Sequence, residues 1–158
     1  MKHKRLVTAG AAIAVLAVIV FFIHANNGYF LQLSNENTGA VLFRAGISDG
    51  ESFSVSYIHS VNNSPVTEYY QIKNSEIYLT ALRFETFGAG MPDGPGEGQT
   101  MRYEDGAIII DGFSHHIPYL CYSIGYTANH TLCLRGDQIP LDTLDEPGQL
   151  VLFSVKSK

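Results

Sequence analysis

Hydrophobic and polar residues alternate along much of the chain after residue 28. In residues 52–57 serine alternates with Phe, Val or Tyr, and this period of two is typical of a strand with one buried face. No segment after residue 28 combines a 3.6-residue period with helix caps. The segments that favour strands are 29–34, 40–45, 53–60, 66–73, 77–87, 101–104, 107–111, 119–125, 131–135 and 149–156. They predict an all-β domain, a mainly antiparallel β-sandwich or open barrel of about eight to ten short strands.

The amino-terminal segment has a different pattern. Residues 6–23 form an apolar run of 18 residues without a charge, which as a helix would extend about 27 Å, close to the thickness of a bilayer core. Lys2, Lys4 and Arg5 precede this run, and such basic residues stay on the cytoplasmic side of the membrane. The pattern predicts a single transmembrane anchor at residues 6–24 in the cytoplasmic membrane.

The anchor divides the chain into three parts. Residues 1–5 form a cytoplasmic basic tail, and residues 25–158 form one domain in the periplasm or extracellular space. A cleavable signal peptide is the alternative interpretation, because it also has a charged start and an apolar middle. The run is longer than the usual apolar region of a signal peptide, and its exit lacks two small residues at the cleavage spacing. An uncleaved anchor is therefore favoured.

Composition and charge exclude several classes of function. The chain has 158 residues, which is too few for a multi-domain enzyme or a polytopic transporter. Three of its ten basic residues precede the apolar run, so the rest carries seven basic and fifteen acidic residues, a net charge of −8. An acidic domain is a poor nucleic-acid binder, because phosphate contacts require cations. No nucleic-acid partner is expected.

Two cysteines fall in the predicted extracytoplasmic domain. Cys121 and Cys133 lie symmetrically about residue 127, so a hairpin centred there would place them opposite each other. Outside the cytoplasm this arrangement predicts a disulfide, which by the loop-entropy model would contribute about 3 kcal/mol. Because direct cross-strand disulfides are often strained, a redox-active pair is the alternative.

The segment around His59 contains the most informative polar pair. If residues 62–65 formed a four-residue loop, His59 would lie opposite Glu68 at the end of an otherwise apolar face. Burial of either group alone costs free energy, whereas together they satisfy each other. A shift of the loop by one residue would instead pair His59 with Thr67. The apolar side chains expected on this face are those of Phe53, Val55, Tyr57, Tyr70 and Ile72.

Three interpretations of His59 remain open. The first is a buried histidine that fixes the end of the strand. The second is a contact to a ligand or partner, with Glu68 orienting the ring and Ser60 beside it. The third is catalysis with Ser60 as nucleophile, which the geometry disfavours because adjacent strand residues point to opposite faces. No catalytic residue is predicted, and the chain is not expected to be an enzyme.

Residues 87–99 form a second unusual segment. Five glycines and two prolines among these thirteen residues prevent the preceding strand from continuing. A mobile connection is one interpretation. A binding loop is the other, because long loops on rigid β scaffolds often carry functional contacts. Its candidate contact residues are Gly88, Gly90, Met91 and Pro92, with Met91 and Pro92 as an apolar tip.

The histidines do not predict a metal site. His115 and His116 are adjacent, so in a strand their side chains point in opposite directions and cannot reach one ion. His130 lies in a separate turn, and the acidic residues lack the spacing of a calcium-binding loop. Neither a metal nor another cofactor is expected.

Three sequence elements resemble one bacterial protein family. The elements YIHSV at residues 57–61, PVTE at 65–68 and FGAGMP at 87–92 are similar to the family called domain of unknown function 1850 (DUF1850). Its pattern has Tyr-x-His-Ser-Val, a downstream Glu and Gly-Ala-Gly-Leu-Pro, and Met91 stands where Leu is usual. The resemblance covers about residues 30–118 and does not include the two cysteines.

The resemblance implies an accessory role. Members of this family are small exported or membrane-anchored proteins, and their genes often neighbour TAXI-type tripartite (TRAP) solute transporters. These transporters combine a multi-pass membrane subunit with a periplasmic solute-binding protein. Two hypotheses follow. The preferred one is a membrane-anchored domain that docks on such a transporter or its solute-binding protein. The alternative is an independent sensor of a small ligand or metal in the cell envelope.

Overall fold

A computed structural model describes residues 28–88 and 90–158. These residues form eleven strands and one 3-10 turn, Leu141–Thr143. The strands are β1 (Tyr29–Asn35), β2 (Val41–Ile47), β3 (Ser52–Ile58), β4 (Pro65–Lys73), β5 (Glu76–Phe84), β6 (Thr100–Glu104), β7 (Ala107–His116), β8 (Leu120–Ser123), β9 (Thr131–Leu134), β10 (Asp137–Pro140) and β11 (Leu150–Ser157). No helix in this described part is long and apolar enough to cross a membrane. The predicted anchor and basic tail lie outside the described residues.

The strands form two antiparallel sheets. One sheet has four strands in the order β2-β1-β11-β8, and the other has seven in the order β10-β9-β3-β4-β5-β7-β6. The predicted all-β sandwich is confirmed, since the two sheets are separate layers and do not close into a barrel.

The larger core lies between the two sheets. Side chains alternate along each strand, so every second residue faces inward, and the apolar positions of the sequence pattern are these inward positions. Phe53 on β3 stacks on Tyr70 of β4, with ring centroids 5.2 Å apart, and on Phe153 of β11, at 6.0 Å. Ile72 on β4 is fully buried in the same core.

A smaller core lies on the β4-β5-β7 part of the seven-stranded sheet. Its buried members are Val66, Leu82, Phe84, Ile108 and Ile110. None of these residues belongs to the four-stranded sheet. The partly buried side chains of Tyr57, Met91 and Phe113 pack against this core instead.

The sequence Asp105-Gly106 between the strand segments 101–104 and 107–111 predicts a hairpin with a type I′ turn, and the structure confirms it. β6 and β7 pair with Glu104 opposite Ala107, so the turn contains two residues. Asp105 has a φ of 50° and Gly106 a φ of 77°. Positive values at both positions are what a type I′ turn requires, and this turn matches the twist of antiparallel strands.

The predicted cysteine hairpin is wrong. Cys121 lies on β8, which pairs with β11 in the four-stranded sheet, whereas Cys133 lies on β9, which pairs with β3 and β10 in the other sheet. Leu120 and Leu132, their neighbours, are buried, so each cysteine points away from the space between the sheets. Both thiols are free, because the sandwich itself separates them.

Candidate functional site

The β3-β4 hairpin has a different register from the predicted one. Ile58 lies opposite Pro65, so the loop contains the six residues 59–64 rather than four. Tyr57 therefore pairs with Val66, and Glu68 lies opposite Val55 instead of His59. The predicted His59–Glu68 pair is wrong. The observed strand pairing is shifted by four residues from the predicted one. Because four is an even number, the same side chains face inward, and Glu68 still points between the sheets.

His59 closes the loop that begins with it. Its backbone N–H donates to the Ser64 carbonyl at 2.9 Å, and its carbonyl accepts from the Asn63 N–H at 2.8 Å. Its ring Nδ1 accepts from the backbone N–H groups of Val61 and Asn62, at 3.3 Å each. Asn63 adopts a φ of 49°, a value that Asn tolerates better than most residues. These bonds end the strand at Ile58 and explain the shorter β3.

The glycine-rich segment of residues 87–99, called here the glycine loop, packs on the loop of residues 59–64, called here the His59 loop. The Asn62 side-chain amide donates to the Thr86 carbonyl at 3.4 Å. A Cβ added at Gly88 would lie 2.8 Å from Asn62 Oδ1, and one at Gly90 would lie 3.7 Å from His59 Nε2. Gly88 has a φ of 151° and Gly90 a φ of 83°, which favour glycine. The YIHSV and FGAGMP elements therefore form one surface, called here the motif surface (residues 59–64, 86–88 and 90–92).

Met91 does not form the predicted apolar tip of this loop. Its side chain is partly buried and packs against the smaller core, and its N–H donates to the Gly88 carbonyl at 2.9 Å. Ser60 is exposed and Pro92 is partly buried. The loop thus covers a part of the seven-stranded sheet that the other sheet does not reach.

Glu68 accepts hydrogen bonds from three tyrosines. The Tyr70 hydroxyl donates to Oε2 at 2.9 Å, the Tyr122 hydroxyl donates to the same oxygen, and the Tyr57 hydroxyl lies 3.5 Å from Oε1. The hydroxyls of Tyr70 and Tyr122 are also 2.8 Å apart. Tyr57 and Tyr70 come from the seven-stranded sheet and Tyr122 from β8, so this carboxylate connects the two layers.

Burial and this carboxylate keep the three tyrosines protonated. Burial is the largest cause that raises the pKa of Tyr57, Tyr70 and Tyr122 above its usual value, and the negative charge of Glu68 raises each further. A phenol next to a carboxylate resists ionisation because its anion would face a like charge. The hydroxyls therefore remain neutral donors to Glu68 at any physiological pH.

An open cleft lies beside this network. Its volume is about 450 Å³, and its walls are residues 57–60, residues 121–123, Gly125, Ala128 and His130. The ring of His130 packs on both Tyr57 and Tyr122, with centroid distances of 5.2 and 5.4 Å. Burial lowers the pKa of His130, so its ring is neutral near pH 7. Its Nδ1 makes no hydrogen bond to any described residue.

The cleft lies at the far end of the four-stranded sheet from Tyr29. Tyr122 lies opposite Val151, which in turn lies opposite Asn35, the last residue of β1. Tyr29, the first residue of β1, pairs with Ser157 at the other end. A strand rises about 3.3 Å per residue, so the cleft lies about 20 Å along the sheet from the start of β1.

Sequence reasoning identified only part of this site. It placed Tyr57, Tyr70 and Glu68 on one inward face, but it did not identify Tyr122 or His130 as their neighbours. Tyr122 lies in the segment 119–125, which the sequence places in the cysteine hairpin, and only its pairing with β11 brings it over Glu68. Within the described residues no group of three or more His, Cys, Asp or Glu side chains could hold a metal ion.

Comparison with known proteins gives one match. The family model described as "Domain of unknown function (DUF1850)" matches residues 53–141. This range includes β3 from its second residue, β4, the motif surface, β8 and β9. No curated protein and no solved structure matches the chain significantly.

Proposed function

The chain belongs to the DUF1850 family, and we propose that it is a membrane-anchored accessory protein that docks through its motif surface on a TAXI-type TRAP transporter or its solute-binding protein. In this proposal residues 6–24 anchor the chain in the cytoplasmic membrane, with the amino terminus inside. The β domain lies in the periplasm or extracellular space. The domain acts by binding and not by catalysis.

The assembly of the motif surface carries this proposal. Two elements that are about 25 residues apart in the sequence meet through Asn62, Thr86 and Gly88. The hydrogen bond from Asn62 to the Thr86 carbonyl uses a side chain in the loop between β3 and β4, and the pairing of these two strands does not need it. A surface composed of two loops on a rigid sheet is a common basis for partner recognition.

The position of the site favours a partner outside the membrane. The motif surface adjoins the cleft, which lies about 20 Å along the sheet from Tyr29 at the usual rise of a strand. An anchor that precedes Tyr29 would enter the domain at the opposite end. The site would then face away from the bilayer, towards a soluble solute-binding protein or the exposed part of a transporter subunit.

Co-purification tests the docking proposal. The full-length protein, cross-linked in its native membrane and extracted in mild detergent, should recover a transporter subunit or solute-binding protein in a fixed ratio. The His59→Ala variant should reduce this recovery about tenfold, the effect expected when a central interface contact is lost. The His115→Ala variant is the matched control, since His115 is an exposed histidine on β7. Recovery of the protein alone, even after cross-linking, would refute the proposal.

The cleft favours a second candidate function, that of an independent small-ligand sensor. Its volume of about 450 Å³ is in the range of small-molecule sites. This function predicts saturable binding by the purified protein without a partner. Calorimetry that detects no binding of carboxylates, amino acids or amines would exclude it.

A further inference from the structure

Two tyrosines form part of the wall of the cleft, and their hydroxyls share one carboxylate, that of Glu68. Tyr57 and Tyr122 both line the cleft, and their ring centroids are 6.1 Å apart with the planes tilted by 55°. The hydroxyl of each ring meets Glu68, which is itself only partly buried. The cleft is therefore bounded in part by two tyrosine rings whose hydroxyls bond to a carboxylate that does not itself line the cleft.

The charge of Glu68 is not neutralised by a neighbouring cation. No Lys, Arg or His within residues 28–88 and 90–158 forms an ion pair with it; the ion pairs of this part join other residues. Oε2 accepts hydrogen bonds from two hydroxyls, whereas Oε1 accepts one hydrogen bond, from Tyr57 at 3.5 Å. Neutral donors lower the cost of burying a carboxylate, but they leave its charge available to attract a cation.

The rings are suited to a positive ligand. A cation over an aromatic face is attracted by the electrons of the ring, and a phenol that donates its proton to a carboxylate is polarised towards a more negative ring. His130, which also lines the cleft, is neutral near pH 7 because burial lowers its pKa. It therefore does not compete with a ligand for the carboxylate.

We propose that this cleft binds a small organic cation, of the ammonium class, against the faces of Tyr57 and Tyr122, with Glu68 as the balancing charge. The net charge of −8 on the chain after the apolar run favours the same sign of ligand through its long-range field. This inference deepens the sensor function and does not depend on docking.

A pair of ligands that differ only in charge tests the proposal. The full-length protein in a non-ionic detergent is titrated with choline and with its uncharged isostere 3,3-dimethyl-1-butanol, and the aromatic NMR signals of tyrosine report binding. Choline should shift the signals of Tyr57 and Tyr122 saturably, and the isostere should bind at least about tenfold more weakly. Butylammonium serves as a second cation, so that the test does not depend on a quaternary group.

Two matched variants test whether Glu68 supplies the negative charge that attracts the ligand. Glu68→Gln keeps the shape of the side chain and should weaken choline binding about tenfold. The control is Glu76→Gln, because Glu76 also accepts a tyrosine hydroxyl, that of Tyr78 at 3.2 Å, but lies outside the cleft. If Glu68→Gln does not fold, the comparison of choline with its isostere on the unaltered protein still decides the question. Tyr57→Phe retains the ring but removes the hydroxyl, so it then tests whether the hydrogen bond from Tyr57 to Glu68 contributes to binding.

Two results would overturn the inference. One is equal affinity for choline and its isostere, which would make the cleft an apolar site indifferent to charge. The other is the lack of saturation by both cations up to about 50 mM, a concentration above even millimolar dissociation constants. If calorimetry then detects an anionic or neutral ligand, the sensor function remains and only the ligand class is wrong. Loss of docking in co-purification would leave the cation result unaffected.

Discussion

The two hydrophobic cores of this protein are closed in different ways. The larger core lies between two sheets, and its stacked rings come from β3, β4 and β11. The smaller core has one sheet beneath it, and the glycine loop covers it through Met91. A sheet-covered core has a rigid boundary, whereas a loop-covered core can relax. The loop that covers the smaller core can therefore change conformation without disturbing the larger core.

Glu68 marks the boundary between these cores. Along β4 the inward residues are Val66, which belongs to the smaller core, then Glu68, and then Tyr70 and Ile72, which belong to the larger core. A carboxylate at this position requires hydrogen-bond donors, because it would otherwise be buried between two apolar regions. The three tyrosines are these donors, and we call this position the seam.

The largest expected effect is alkaline unfolding at the seam. Unfolded tyrosine titrates near pH 10, whereas the raised pKa values of Tyr57, Tyr70 and Tyr122 keep these groups protonated in the folded state. Stability is unaffected below about pH 10 and falls above it, by about 1.4 kcal/mol per pH unit for each such tyrosine. Urea unfolding at several pH values measures the slope.

The control for the alkaline prediction is an exposed tyrosine. Tyr122→Phe should reduce the slope, and Tyr103→Phe should not, because Tyr103 is 71% exposed. Phenolate absorbance of the folded protein checks the interpretation. If all nine tyrosines ionise together near pH 10, the three tyrosines of the seam do not have raised pKa values and the interpretation fails.

A matched pair of isoleucines compares the cores directly. Ile72 in the larger core and Ile110 in the smaller core are both fully buried on the seven-stranded sheet. We expect Ile72→Ala to destabilise the fold by about 4 kcal/mol and Ile110→Ala by about 2.5 kcal/mol, because a cavity costs less where its surroundings can collapse. Thermal or urea unfolding of both variants measures the difference. Equal losses would show that the loop cover is as rigid as a sheet.

The smallest expected effect concerns the glycine loop. Gly88→Ala places a Cβ 2.8 Å from Asn62 Oδ1 at a φ of 151°, and such strain costs about 1–2 kcal/mol. We expect this modest loss together with weaker docking in co-purification. Gly94→Ala is the control in the same loop, because its Cβ meets nothing within 4 Å. If the Gly88→Ala variant docks as well as the unaltered protein, the contact between Gly88 and Asn62 is not needed for recognition of the partner.

The sequence predicts the strands of this fold better than their partners. Alternation located most of the strands because each has one buried face, and the Asp105-Gly106 turn fixed its own hairpin. β10 was not predicted, because Asp137–Pro140 has only Ile139 partly buried and lacks an alternating pattern. The cysteine hairpin failed because symmetry about residue 127 fits a local turn as well as a crossing between sheets. Only tertiary packing distinguishes these two possibilities.

The candidate site shows the same division. The shared face of Tyr57 and Glu68 follows from a period of two, and an even shift of register preserves it. The loop length does not follow, because the six-residue turn depends on hydrogen bonds that the backbone N–H groups of Val61 and Asn62 donate to His59 Nδ1. The contact of Tyr122 with Glu68 joins residues 54 positions apart, a separation at which no local pattern acts.

The placement of β1 has a consequence for biosynthesis. β1 lies in the interior of the four-stranded sheet, and Tyr29 pairs with Ser157 near the other end of the sequence. During synthesis β1 therefore cannot complete its pairing until β11, far along the chain, has also left the ribosome. Contacts of such long range slow folding, and an unpaired strand edge invites aggregation. We expect a nascent chain that stops before residue 150 to remain unfolded and to depend on chaperones.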